Sequence, residues 1–193
     1  MRKINASLFI TLDGVVEAPG GEDTIPEDRR AWSMPYTDDK VVEVISAGMA
    51  SSDAMLLGRN TYEAFASYWP HAPEDDPFSQ FMNNQTKYVV STTLDAVEWK
   101  NSHLIKGDVV AELNKLKQQS GKDINIVGSG TLTRNLIEAD LVDELQLMLC
   151  PVVLGVGMRL FDDTDYMKLM TVLEVKSFDS GMTYLRLQPE KKA

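Results

Sequence analysis

The chain has 193 residues, 44% hydrophobic and 25% charged, enough to bury one core of ordinary size, so a single domain spanning residues 1–193 is expected. Its 29 acidic residues against 19 basic ones give a formal charge of −10, which repels phosphate backbones and anionic lipid and argues against nucleic acid or a membrane surface as partner. One cysteine, Cys150, makes no internal disulfide, and His71 and His103 lack metal-ligand spacing, so no metal site is expected.

Met1-Arg2-Lys3 followed by Ile4 to Ile10 has the outline of a secretory leader, but Asn5 and Ser7 interrupt it and Asp13 ends it, so the segment reads as a strand from Ile4 to Thr11. No apolar run approaches the roughly 20 residues that span a bilayer, and a soluble cytoplasmic protein is the expectation. Leu12-Asp13-Gly14-Val15-Val16 carries the strand into a bend. Its carboxylate is either a solvated turn residue or a group at the mouth of a site. Pro19 to Arg30 is a long polar loop, either a lid or plain surface.

Asp38 can cap a helix whose apolar face is Val41, Val42, Ile45 and Met49. Asp53 to Leu57 is a second strand, ending at Gly58-Arg59-Asn60-Thr61, where Asn60 or Thr61 starts a helix bearing Tyr62, Phe65 and Trp69. Arg59 beside free helix amides suits a phosphate; the alternative is a surface Arg paired with Glu63. After a proline-rich acidic loop, Pro70 to Pro77, a third strand runs from Thr86 and ends in Ser91-Thr92-Thr93. His103-Leu104-Ile105 is a fourth short strand, and Val109, Leu113 and Leu116 mark a helix that Gly121 stops.

Asp123 to Val127 is a β-branched run that ends in Gly128-Ser129-Gly130 and enters a helix with Leu132, Leu136 and Ile137 inward. Such a junction is either a bare tight turn or a phosphate seat, and the stretch alone does not choose. Gly128 and Gly130 are followed by Thr133 where the dinucleotide fingerprint has its third glycine, and no P-loop lysine follows. Beyond Asp140 the pattern reads as antiparallel β, with Leu145, Leu147 and Leu149 alternating and Pro151 to Leu154 continuing to Gly155-Val156-Gly157. Val172 to Phe178 and Met182 to Leu187 form a closing hairpin. The whole describes an α/β protein: a mostly parallel central sheet with flanking helices and a C-terminal antiparallel hairpin. Ligands of such sheets bind at the carboxyl ends of the strands, which gathers Asp13, Gly58 to Thr61, Ser91-Thr92 and Gly128 to Thr131 on one edge.

The blocks Leu57-Gly58-Arg59-Asn60-Thr61-Tyr62-Glu63, Val89-Val90-Ser91-Thr92 and Ile126-Val127-Gly128-Ser129-Gly130-Thr131-Leu132 resemble dihydrofolate reductase. Thr11-Leu12-Asp13-Gly14 and Leu147 to Gly155 resemble more closely the reductase domain of riboflavin-biosynthesis deaminase-reductases and its stand-alone relatives. The resemblance implies the dihydrofolate reductase-like fold, a homodimer, and an NADPH-dependent reductase of a small heterocycle, pteridine-like or ribosylaminopyrimidine-like. It implies that Arg59 and Thr61, beside Gly58, meet the 2′-phosphate side of NADPH, and that Ser91 and Thr92 line the adenosine half. Gly128, Ser129, Gly130, Thr131 and Leu132 would hold the pyrophosphate. Leu12, Gly14 and Val15 would lie near the nicotinamide, with Asp13 as the catalytic candidate that orients substrate or a water. The other reading is a nucleotide- or drug-binding protein without turnover on the same fold.

Overall fold

Period-two and continuous apolar runs alternate with capped, amphipathic segments along the chain, and the computed structural model, described over residues 1–21, 24–162 and 164–191, realises them as strands and helices in turn. The order is β1 (Ile4–Thr11), α1 (Asp39–Ala50), β2 (Ser52–Gly58), α2 (Arg59–Tyr68), α3 (Pro77–Asn84), β3 (Thr86–Val90), β4 (Ser102–Ile105), α4 (Val109–Gln118), β5 (Asp123–Val127), α5 (Gly130–Glu138), β6 (Glu144–Cys150), β7 (Met170–Ser177) and β8 (Thr183–Pro189). Asp38, Asp76 and Asp108 cap α1, α3 and α4 by accepting from the amides of Val41, of Phe78 and Ser79, and of Ala111.

One eight-stranded sheet results, ordered β4-β3-β2-β5-β1-β6-β8-β7. β1 lies between β5 and β6, parallel to both, with Ile4 opposite Ile124 and Leu8 opposite Leu147. β2, β3 and β4 continue the parallel part. β8 runs antiparallel to β6, and β7 antiparallel to β8. Ile4, Ala6, Leu8, Ile124, Ile126, Leu145 and Leu147 face Leu113 and Leu116 of α4 and Leu136 and Ile137 of α5. On the opposite face, Met55, Leu57 and Val89 meet Tyr62 and Met82, while Met148 and Tyr184 pack with Val41 and Trp32. Helices on both faces account for the near-continuous apolar strands.

Several expectations change. β6 is antiparallel to β8, as expected beyond Asp140, but parallel to its other neighbour β1: the alternation of Leu145, Leu147 and Leu149 reports one buried face and not the direction of both neighbours, and the α5 crossover delivers a strand parallel to β1. β6 stops at Cys150, and Pro151 to Leu154 leave the sheet. In α1, Val42 is exposed and Val44 packs inward. α2 begins at Arg59, with Gly58 as its N-cap. Helix α3 arises in the stretch after the proline-rich loop, signalled by Asp76 and by Pro77 at its first position. Of the polar loop Pro19 to Arg30, Glu22 and Asp23 lie outside the described residues; at its far end the Arg29 guanidinium donates to the Leu154 carbonyl at 2.6 Å and the Arg30 guanidinium to the Ile25 carbonyl at 2.7 Å.

Lys87 of β3 is fully buried. Its ammonium donates to the carbonyls of Asn83 (3.2 Å), Gln85 (2.8 Å) and Lys100 (3.1 Å), and it sits 4.1 Å from the Trp99 ring centroid. Burial, with the Lys100 charge adding, lowers its pKa to about 8.

Candidate active site

The carboxyl end of β1 turns sharply at Gly14, whose φ of +83° is the left-handed conformation that glycine adopts without cost. Thr11 ties the bend together: its hydroxyl accepts from the Val15 amide at 2.9 Å and donates to Asp13 at 2.7 Å. The same Asp13 carboxylate accepts from the amides of Leu154 (3.0 Å) and Gly155 (2.8 Å) and lies 3.5 Å from the Arg159 guanidinium. Burial opposes its charge, but the Thr11 hydroxyl and the Leu154 and Gly155 amides outweigh it and hold the carboxyl well below the usual range. At neutral pH Asp13 is therefore an ionised acceptor, not a proton donor.

Residues 151–160 wrap this bend. Leu12 donates to the Val152 carbonyl (2.9 Å), Val16 to Met158 (3.0 Å) and Leu160 to Gly14 (2.9 Å), while the Glu17 carboxylate accepts from the Met158 amide at 2.7 Å. Gly155 and Gly157, both at positive φ, let the wrap turn. Leu12 projects to solvent, and Val15 is fully buried, so Val15 is available to a ligand only through the backbone of the bend.

Two further corners interlock. The Gly58 amide donates to the Ser129 hydroxyl at 3.0 Å, and the Ser129 amide donates to the Thr61 hydroxyl at 3.1 Å, so the β2–α2 and β5–α5 turns brace each other. Ser129 has φ 55° and ψ 50°, an unusual conformation for a residue with a side chain, and it follows Gly128 at φ +58°. Neither helix is capped by the side chain of its own N-cap residue. Two helix starts, each with amides that lack intrahelical partners, thus stand side by side.

Gly130 brings the third corner in. A Cβ there would lie 2.7 Å from Val16 Cγ2 and 3.0 Å from Met158 Cε, so only glycine lets the β1 bend rest on the start of α5. Thr131 is exposed with its hydroxyl 3.2 Å from the Met158 sulfur, and Leu132 is partly buried near Gly58. Arg59, at the first position of α2, is half exposed and pairs with Glu63 at 3.3 Å. The Ser91 hydroxyl closes its own turn by accepting from the Thr93 and Leu94 amides, while Thr92 is exposed. The structure joins the Asp13, Gly58–Thr61 and Gly128–Thr131 corners by direct contact, and it leaves Ser91 and Thr92 on the next strand over without such a link.

Thr11, Glu17, Arg159 and the 151–160 wrap are the residues that sequence reasoning missed; only the glycine pair Gly155 and Gly157 signalled a turn there. Beside the wrap, Arg134, Met158, Arg159 and Tyr166 line a cavity of about 370 Å³, shared with the carboxylates of Glu138, Asp162 and Asp165. A larger cavity of about 870 Å³ lies between α2, α3 and the segment before β4, walled by Tyr62, Asn83, Trp99 and Lys100, and none of the sequence-predicted site residues lines it.

Residues 2–184 match the model of the RibD C-terminal domain. The chain belongs to that family. The RibD C-terminal domain is the reductase domain of riboflavin-biosynthesis enzymes, and this chain is accordingly an oxidoreductase of that type acting on a small molecule. The chain is 29% identical over 187 residues, 95% of its length and 93% of the relative's, to the uncharacterized protein YyaP of Bacillus subtilis (strain 168). Its fold is similar to that of a protein of Shewanella sp. PV-4 described as a riboflavin biosynthesis protein, with 21% identity, 98% and 99% of the two chains covered, and a TM-score of 0.70. It is also similar to a diaminohydroxyphosphoribosylaminopyrimidine deaminase/5-amino-6-(5-phosphoribosylamino)uracil reductase of Thermotoga maritima, with 14% identity and a TM-score of 0.66. Of that longer chain it covers 57%, against 98% of its own. Among the described residues no helix is long and apolar enough to cross a membrane.

Proposed function

We propose that this RibD C-terminal domain protein is a cytoplasmic, homodimeric NADPH-dependent reductase of a small heterocyclic substrate, pteridine-like or ribosylaminopyrimidine-like. One observation carries the reading: the paired, uncapped starts of α2 and α5, cross-braced through Gly58, Thr61 and Ser129, form an anion seat in a chain of net charge −10. Such a seat fits a pyrophosphate, with the amides of Gly130, Thr131 and Leu132 facing it. Arg59 needs only to leave Glu63, an exposed pair worth about 1 kcal/mol or less, to reach a phosphate beside Gly58. Ser91 and Thr92 border the adenosine half. NADPH, when bound, supplies the hydride. Leu12, Gly14 and Val15 shape the floor beside the reacting ring, and Asp13 acts as the positioning residue that fixes this floor.

A second reading, a nucleotide- or drug-binding protein without turnover, is favoured by one fact: the catalytic candidate Asp13 is fully engaged and ionised, so the proton for reduction must come from water or substrate. Fluorescence titration of NADPH and NADH against the wild type and Arg59→Ala tests the cofactor assignment. A preference for NADPH that falls about tenfold in Arg59→Ala is expected, as for loss of one charge-assisted contact. Equal binding of both cofactors by both proteins refutes it. Tight NADPH binding without oxidation in the presence of any tested pteridine or aminopyrimidine selects the second reading.

A further inference from the structure

Met158 lies where the wrap over Asp13 touches the start of α5. Its amide donates to the Glu17 carboxylate at 2.7 Å and its carbonyl accepts from the Val16 amide at 3.0 Å, so the backbone fixes where the side chain can go. That side chain rests against Gly130, and its sulfur accepts from the Thr131 hydroxyl at 3.2 Å. Met158 is 37% exposed, less than Met34 at 60% or Met167 at 82%, whereas Met55, Met82, Met148 and Met182 are buried. A half-open thioether thus stands against the first turn of a helix whose amides no N-cap side chain satisfies.

We propose that Met158 is a reversible oxidation site through which hydrogen peroxide controls the anion seat: the thioether leaves the donors of the seat open, and the sulfoxide takes them. In the reaction a sulfur lone pair attacks one peroxide oxygen and the O–O bond breaks. The sulfur loses two electrons, and the departing hydroxide takes up the proton of the attacked hydroxyl, so thioether and hydrogen peroxide give sulfoxide and water. Negative charge builds on the departing oxygen, and a nearby hydroxyl donor and the positive end of a helix both stabilise it. Thr131 and the start of α5 supply both at Met158, while the second lone pair of the sulfur is free to attack. The product carries a strong acceptor oxygen beside the Thr131 hydroxyl. That hydroxyl and the first-turn amides of α5 are the donors that the preceding reading assigns to the pyrophosphate of NADPH. The loss of cofactor affinity rests on that reading, and the preferential oxidation of Met158 does not.

Timed treatment of the full chain with hydrogen peroxide tests this, with the gain of one oxygen at each methionine followed by peptide mass spectrometry. Met158 is expected to oxidise at least about twice as fast as Met167, against the order of exposure, and Thr131→Val to slow Met158 about threefold without slowing Met167. NADPH titration then compares each protein before and after peroxide. Affinity is expected to fall about tenfold in the oxidised wild type and to recover after methionine sulfoxide reductase. In Met158→Leu, a swap of similar volume checked for folding by far-UV circular dichroism, peroxide leaves the affinity where it was. Oxidation of Met158 no faster than that of Met167 overturns the site. An affinity loss as large in Met158→Leu as in the wild type, or none in wild type whose Met158 is fully converted, overturns the control. Absence of NADPH binding before peroxide overturns the cofactor reading and the control with it, while the oxidation rates decide the site by themselves.

Discussion

Replacing Asp13 by Asn keeps the shape of the side chain and removes its charge. The carboxylate accepts from the Thr11 hydroxyl and the Leu154 amide on one oxygen and from the Gly155 amide on the other. An amide group offers one oxygen and one donor, so in either orientation one backbone N–H of the 151–160 wrap faces another N–H. That orphan costs about 1–3 kcal/mol, and the surviving bonds fall from charge-assisted to neutral, for a total of about 3 kcal/mol. For a chain of this size the midpoint of thermal unfolding drops by about 10 °C. The pH dependence follows from the depressed carboxyl: its stabilisation is complete above the pKa of an unfolded Asp and is lost as pH falls below that value towards the lower folded one. Urea unfolding of both proteins across pH 3 to 8 therefore shows a constant gap near neutrality that narrows below about pH 4. A gap under about 0.5 kcal/mol at neutral pH, or one as wide at pH 3 as at pH 7, refutes the clamp.

Gly130→Ala drives a methyl against Val16, which is buried and β-branched, and against the mobile end of Met158; a net loss of about 1–2 kcal/mol and a weaker grip on NADPH are expected by thermal unfolding and titration, and an unchanged or higher midpoint contradicts the close approach. Lys87 loses its proton more readily folded than unfolded, so wild-type stability rises by up to about 3 kcal/mol between about pH 8 and about pH 10.5. Lys87→Met, followed by urea unfolding over the same range, lacks that rise; parallel curves for the two proteins defeat the assignment.

Strand existence was the most legible part of the sequence. β1 appears at its expected bounds, and β3, β4 and β5 within a residue or two, because β-branched and apolar runs between glycines and polar turns have few other uses. Helix caps were equally readable at Asp38, and would have been at Asp76 had the proline after it been taken as a first-turn residue. For β6 the antiparallel pairing with β8 was readable and the parallel pairing with β1 was not, since period two reports a buried face and not the neighbour that supplies hydrogen bonds. The wrap over Asp13 was hidden for a different reason. It consists of contacts about 140 residues apart in sequence, made mostly by backbone groups that every residue carries. Lys87 escaped for the converse reason: a lysine in a strand reads as solvated, and only the surrounding carbonyls and Trp99 reveal its cage.

The position of β1 between β5 and β6 has a consequence for how the chain comes to be folded. Its hydrogen-bonding partners lie about 120 and about 140 residues downstream, so a nascent chain holds its central strand without either neighbour until most of it has left the ribosome. Until then Ile4, Ala6 and Leu8 are exposed, and a stalled or truncated product is an aggregation hazard and not a partial enzyme. The bend at Asp13, which hangs on the end of that strand and on residues 151–160, is among the last parts to acquire its shape.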